Sequence, residues 1–139
     1  RHMMGASMGG HGAMTLAEKY PDFFESVSSI FGILKLTLHR REESRVSQVL
    51  GNWEDFPERW KANCAWELAP SFLQNPIRIL FDCGSSDTET GAIECNREFH
   101  RRLKELGIAH DWIENPGGHN SLYINEQLER HLAFHLKHV

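Results

Sequence analysis

The sequence predicts an α/β fold: a mostly parallel sheet with crossover helices. Two observations predict it. Strand-like and helix-like segments alternate along all 139 residues, and the glycine-rich loops that carry reactive side chains follow strand-like segments. Parallel strands need helical crossovers, and such sheets gather chemistry at the carboxyl ends of their strands.

The elements follow in order. Arg1 to Ala6 is taken as a native strand rather than a cloning remnant, because it leads straight into a serine turn. Residues 8–20 form a helix with small Gly9, Gly10, Gly12 and Ala13 on its first turns and Pro21 beyond its end. Residues 26–32 have strand composition. Residues 36–75 are irregular, helical and rich in tryptophan (Trp53, Trp60, Trp66). Residues 77–81 form a strand bounded by Pro76 and Gly84. Residues 92–106 form a helix with Cys95, Phe99, Leu103 and Leu106 on one face and Gly107 as its stop. Residues 108–114 form a short strand. Asn120 caps a last helix whose apolar stripe, Ile124, Leu128, Leu132 and Leu136, is expected to face the sheet.

Composition narrows the function. The chain is 40% hydrophobic and 24% charged, ordinary for one globular domain. A net charge of -4 gives no electrostatic reason to expect nucleic acid or an anionic membrane. No stretch approaches the ~20 apolar residues of a membrane span. The basic clusters His39-Arg40-Arg41 and Arg101-Arg102 read as solvated helix faces. Three cysteines, Cys64, Cys83 and Cys95, read as buried free thiols and lean toward a reducing, cytoplasmic compartment.

Gly5-Ala6-Ser7-Met8-Gly9 is a Gly-x-Ser-x-Gly pentapeptide between a strand and a helix. That setting demands a sharp, strained turn that exposes the serine hydroxyl, with no room for side chains two residues before or after it. The helix starting there aims free N–H groups at developing negative charge, and the backbone N–H of Met8 is the first oxyanion donor. A nucleophilic serine needs a base, and the base an orienting acid. Of nine histidines, His119 in Pro116-Gly117-Gly118-His119-Asn120 sits in a flexible loop after the last strand. His131, His135 and His138 share one helix at spacings that could bind metal, but read as a solvated face; His11 reads as packed. Asp87, in Gly84-Ser85-Ser86-Asp87-Thr88-Glu89, is the candidate acid, with Asp82 and Glu89 as alternatives. The chain order Ser, Asp, His differs from that of trypsin-like and subtilisin-like proteases.

Gly5 to Met14, with Tyr20-Pro21 and Phe24-Glu25-Ser26-Val27-Ser28-Ser29, resembles the esterase D family of α/β-hydrolases, which includes S-formylglutathione hydrolases, tributyrin-type esterases and feruloyl or acetyl-xylan esterases. Phe81 to Asp87 resembles that family's acid loop. Pro116 to Asn120, with Leu128 to Phe134, resembles its histidine loop and final helix. The resemblance is weakest over residues 36–60. It implies the C-terminal half of an α/β-hydrolase, with Ser7 as nucleophile, Asp87 as acid, His119 as base and Tyr123 as the aromatic residue after the histidine. It also implies preceding strands and a loop with a second oxyanion donor. The expectation is therefore a partial domain over 1–139 with a helical insertion at about 36–75. Alone it would self-associate, and it would need an N-terminal half.

The function expected is hydrolysis of a small-molecule carboxylic ester through an acyl-enzyme on Ser7, with no metal or cofactor. Acyl transfer to a sugar or alcohol, as in the mycolyltransferases of this fold, is the alternative reaction. A binding module on a hydrolase scaffold is the alternative class. Trp53 to Trp66 is either a pocket wall or a packed cap.

Overall fold

The computed structural model describes residues 1–137, so His138 lies outside the described residues. Strands β1 (His2–Ala6), β2 (Ser26–Ile30), β3 (Arg78–Gly84) and β4 (Asp111–Asn115) form one sheet in that spatial order, every pair parallel. Met3 stands opposite Val27, Val27 opposite Ile79, and Phe81 opposite Trp112. Helices α1 (Met8–Lys19), α2 (Arg45–Leu50), α3 (Pro57–Lys61), α4 (Ala65–Leu68), α5 (Ala92–Glu105) and α6 (Ser121–Leu136) lie between and after the strands. No described helix is long and apolar enough to cross a membrane.

Successive strand side chains point to opposite faces, and the two faces here have different chemistry. One face is apolar. Val27, Ile79 and Phe81 pack against Ala13, Met14 and Ala17 of α1, Phe99 and Leu103 of α5, and Phe72 from the tryptophan-rich region. Each large side chain so buried contributes about 1.5–3 kcal/mol. The opposite face presents Ser26, Ser28 and Asp82, all fully buried, to α6.

That polar face overturns two expectations. The buried side of α6 is Tyr123, Gln127, His131, Phe134 and His135, whereas Leu132 and Leu136 are exposed, at 47% and 62%. His131 and His135 are therefore neither solvated nor disposed to bind metal. His131 Nε2 lies 3.0 Å from Asp82 Oδ2. His135 bridges two serines, its Nδ1 2.6 Å from Ser26 Oγ and its Nε2 2.8 Å from Ser28 Oγ. The polar strand residues needed hydrogen-bond partners, and only the histidine side of α6 supplies them. Leu132 and Leu136 are turned outward as a result, while Leu128 is half-buried and Ile124 packs against the core.

Two strand boundaries also move. The predicted strand 108–114 begins at Asp111 instead. Gly107, at φ 71, turns the chain out of α5, and Ile108 N–H donates to Leu103 O at 2.9 Å, so Ile108 is tied to the helix end and 108–110 form an irregular connection to the strand. The strand predicted over 26–32 stops at Ile30, because Phe31 takes a positive φ of 37.

Burial also sets an acid limit on the fold. His135 is pushed down to about 4 by burial, then by His2, His131 and Arg78. His11 is pushed down to about 4 by burial, then by Lys19 and His39. Both histidines are thus neutral when folded and take up protons more readily when unfolded. Their contribution is complete above the unfolded value of about 6.5 and is lost as pH falls from there toward about 4. Thermal melts between pH 7 and pH 4.5 should show stability falling by up to roughly 3 kcal/mol per histidine. His135→Gln should flatten part of that slope, and an unchanged slope would count against the assignment.

Candidate active site

All the reactive side chains come from the carboxyl ends of the strands. Ser7 sits between β1 and α1 at φ 56, ψ -126, a conformation that costs a non-glycine residue about 1–3 kcal/mol. The surrounding backbone holds it there: Ser7 N–H donates to Ile30 O at 3.0 Å, and His11 N–H donates to Ser7 O at 3.1 Å. Only one of the flanking glycines is required by space. A Cβ on Gly5 would lie 2.1 Å from Gly9 O, whereas one on Gly9 would meet nothing within 4 Å. The close approach is made by Gly9's carbonyl, so the expectation of crowding at both positions holds for Gly5 alone.

Past the end of β3, Asp87 is 2% exposed. Its Oδ1 accepts from Thr90 Oγ1 at 2.5 Å, and its Oδ2 lies 2.6 Å from His119 Nδ1. Past the end of β4, Gly117 adopts φ 134, and its carbonyl accepts from Ser86 N–H at 2.9 Å, joining the acid and histidine loops. His119 Nε2 lies 2.8 Å from Ser7 Oγ. Because a carboxylate only accepts, Nδ1 carries the ring proton and Nε2 is left to accept from the serine hydroxyl. The structure thus brings Ser7, His119 and Asp87 into one hydrogen-bonded series.

The alternative acids lie elsewhere. Glu89 is exposed, and Asp82 points to the opposite sheet face against His131. Burial, then Asp87 and Asp82, push the Cys83 thiol well up, so it is neutral next to Asp87. The three cysteines are all free and buried. Among the described residues, no group of three or more His, Cys, Asp or Glu side chains is arranged to hold a metal.

Sequence reasoning missed two residues of this site. The Phe31 ring packs on the His119 imidazole with centroids 4.1 Å apart, and also on Tyr123 at 5.6 Å. Its N–H donates to Asp82 O at 2.8 Å, which helps hold the positive φ. Nothing in the local pattern distinguishes Phe31 from a strand residue. Thr90, three residues after Asp87, carries the weak signal of a hydroxyl near an acid. Tyr123 is 1% exposed, and its hydroxyl accepts from Asn115 Nδ2 at 3.0 Å. Trp60 is packed, with Nε1 donating to Gly51 O at 2.9 Å, so this part of the tryptophan stretch is cap.

A strained serine between a parallel strand and its helix, with acid and histidine loops beyond later strands, is the arrangement of the α/β serine hydrolases. The chain belongs to the esterase family described as "Putative esterase", whose model matches residues 1–135. It is 31% identical over 143 residues to an esterase of Mycobacterium tuberculosis, covering 86% of this chain and 30% of that protein. It is 36% identical over 85 residues to S-formylglutathione hydrolase of Mus musculus, covering 61% of this chain and 29% of that protein. Among solved structures, an S-formylglutathione hydrolase from Agrobacterium tumefaciens superposes with a TM-score of 0.75 at 26% identity, over 96% of this chain and 47% of that one. The chain therefore spans about 30% of the length of these curated relatives. The four-stranded sheet is part of an α/β-hydrolase fold.

Proposed function

We propose that these residues carry the catalytic triad of a serine carboxylic-ester hydrolase. The observation behind this reading is the paired contact of His119, 2.8 Å from Ser7 Oγ on one ring nitrogen and 2.6 Å from Asp87 on the other. In the proposed reaction His119 takes the Ser7 proton as Oγ attacks the ester carbonyl, giving a tetrahedral intermediate. Its oxyanion is stabilised by the Met8 N–H, one of the free donors at the start of α1. His119 then protonates the departing alcohol, leaving an acyl group on Ser7. Water, deprotonated by His119, attacks that acyl-enzyme and releases the acid. Asp87 holds the imidazole orientation and stabilises its cationic form throughout.

The test is covalent labelling of the full-length protein with a fluorophosphonate. We expect peptide mapping to place the label on Ser7 and on no other serine of this segment. An active protein whose label maps elsewhere, or that takes none, would sink the assignment.

A further inference from the structure

Next to the serine, α1, α2 and Leu36 enclose an open cavity of about 320 Å³. Its walls are mainly Met8, Leu36, Val46, Val49 and Leu50, with His11, Arg45 and Asn63 completing them. None of these residues belongs to the acid loop or the histidine loop. His11 adds no charge at neutral pH, since burial holds it down to about 4 and its Nε2 accepts from Ala65 N–H at 3.4 Å. Arg45 is exposed.

We propose that this cavity is the acyl-chain subsite, and that the preferred substrates carry a straight apolar acyl group longer than acetyl. The inference rests on the esterase reading above. Each substituent of the carbonyl carbon on Ser7 has a place dictated by the chemistry. The leaving oxygen must receive its proton from His119, so the alcohol stands over the histidine loop. The carbonyl oxygen turns to the start of α1. The acyl chain takes the remaining direction, and Met8 makes that direction continuous with the cavity, because the residue whose N–H is the proposed oxyanion donor also lines the cavity. Ser7, Asp87 and His119 line neither this cavity nor a larger cleft of about 550 Å³ between β4 and the end of α6, but Met8, the residue after the serine, lines this cavity and not the cleft. Half of the wall residues, Arg45, Val46, Val49 and Leu50, come from α2, and the Trp53–Trp66 stretch contributes Asn63.

The experiment measures kcat/KM of the full-length protein on p-nitrophenyl acetate, butyrate and hexanoate, and on acetates of short and long alcohols. Wild type should prefer the longer acyl chains, each methylene withdrawn from water being worth roughly fourfold. Val46→Trp fills the cavity, and Val49→Asp puts a charge on its wall. Val49 is 80% exposed, so that variant keeps its fold even if the first does not. In both, the hexanoate-to-acetate ratio should fall by about tenfold or more, with the alcohol series unmoved. A ratio that stays within twofold of wild type in both variants, or a shift confined to the alcohol series, overturns the acyl assignment while Ser7 labelling leaves the esterase reading standing. If wild type hydrolyses none of these esters and Ser7 takes no fluorophosphonate, the esterase reading fails and takes this inference with it.

Discussion

Ser7→Ala in the full-length protein is expected to lower ester turnover by on the order of 10⁶-fold, the loss seen when a serine hydrolase is stripped of its nucleophile. Asp87→Asn should lower it by about 10⁴-fold, because an amide in place of the carboxylate leaves His119 in the wrong tautomer. The fold should survive both changes. Among the described residues Ser7 Oγ is bonded only to His119, and an asparagine at Asp87 can still accept from Thr90 through its amide oxygen. The informative control is Asp82→Asn. Asp82 is on β3, the strand that leads into the Asp87 loop, and is fully buried, yet it faces His131 rather than His119. Steady-state kinetics should show the orders-of-magnitude loss at Asp87 and not at Asp82. The reverse ranking would show that the acid has been misassigned.

The second large effect is on stability. Asp82 and His131 are both inaccessible to solvent and are joined by a 3.0 Å hydrogen bond, with Arg130 4.0 Å from the same carboxylate oxygen. Asp82 Oδ1 and His131 Nδ1 have no hydrogen-bond partner among the described residues. A buried pair with half its hydrogen-bonding capacity unused adds little net stability, but removing one member strands the other. Asp82→Ala or His131→Leu alone should therefore cost about 3–5 kcal/mol. The double variant Asp82→Leu, His131→Leu should recover most of that loss, since two apolar side chains of similar bulk leave nothing unsatisfied. A double-mutant cycle by chemical denaturation measures this coupling. Additive losses would mean that each residue is held by something other than its partner.

How much of this was legible in the sequence depends on the range over which each feature is decided. The serine turn could be read because its cause is local. A strand, a pentapeptide and a helix, all within residues 2–19, impose the positive φ at Ser7, and only glycine at position 5 fits against the Gly9 carbonyl. The face of α5 was readable for a similar reason, since after Ala92 and Ile93 the apolar residues Cys95, Phe99 and Leu103 recur four apart in an otherwise polar helix. The loops holding Asp87 and His119 could be located because they follow strand-like runs.

The terminal helix shows where that reasoning stops. Its leucines and its histidines each form a stripe at helical spacing, and periodicity alone favours the leucines. The outcome was set by residues some 50 to 109 positions away: Asp82, Ser28 and Ser26, whose buried polar groups hydrogen-bond the histidines. Phe31 is a similar case, held at a positive φ by a hydrogen bond to Asp82 O and packed on an imidazole 88 residues later in the chain. By itself the sequence determined the order of elements, the parallel architecture and the three side chains assembled at the strand ends. Only the tertiary structure decided which side of α6 is buried, that α2 lines the cavity next to the serine, and how the imidazole is held, because those features rest on contacts between distant segments that no local pattern encodes.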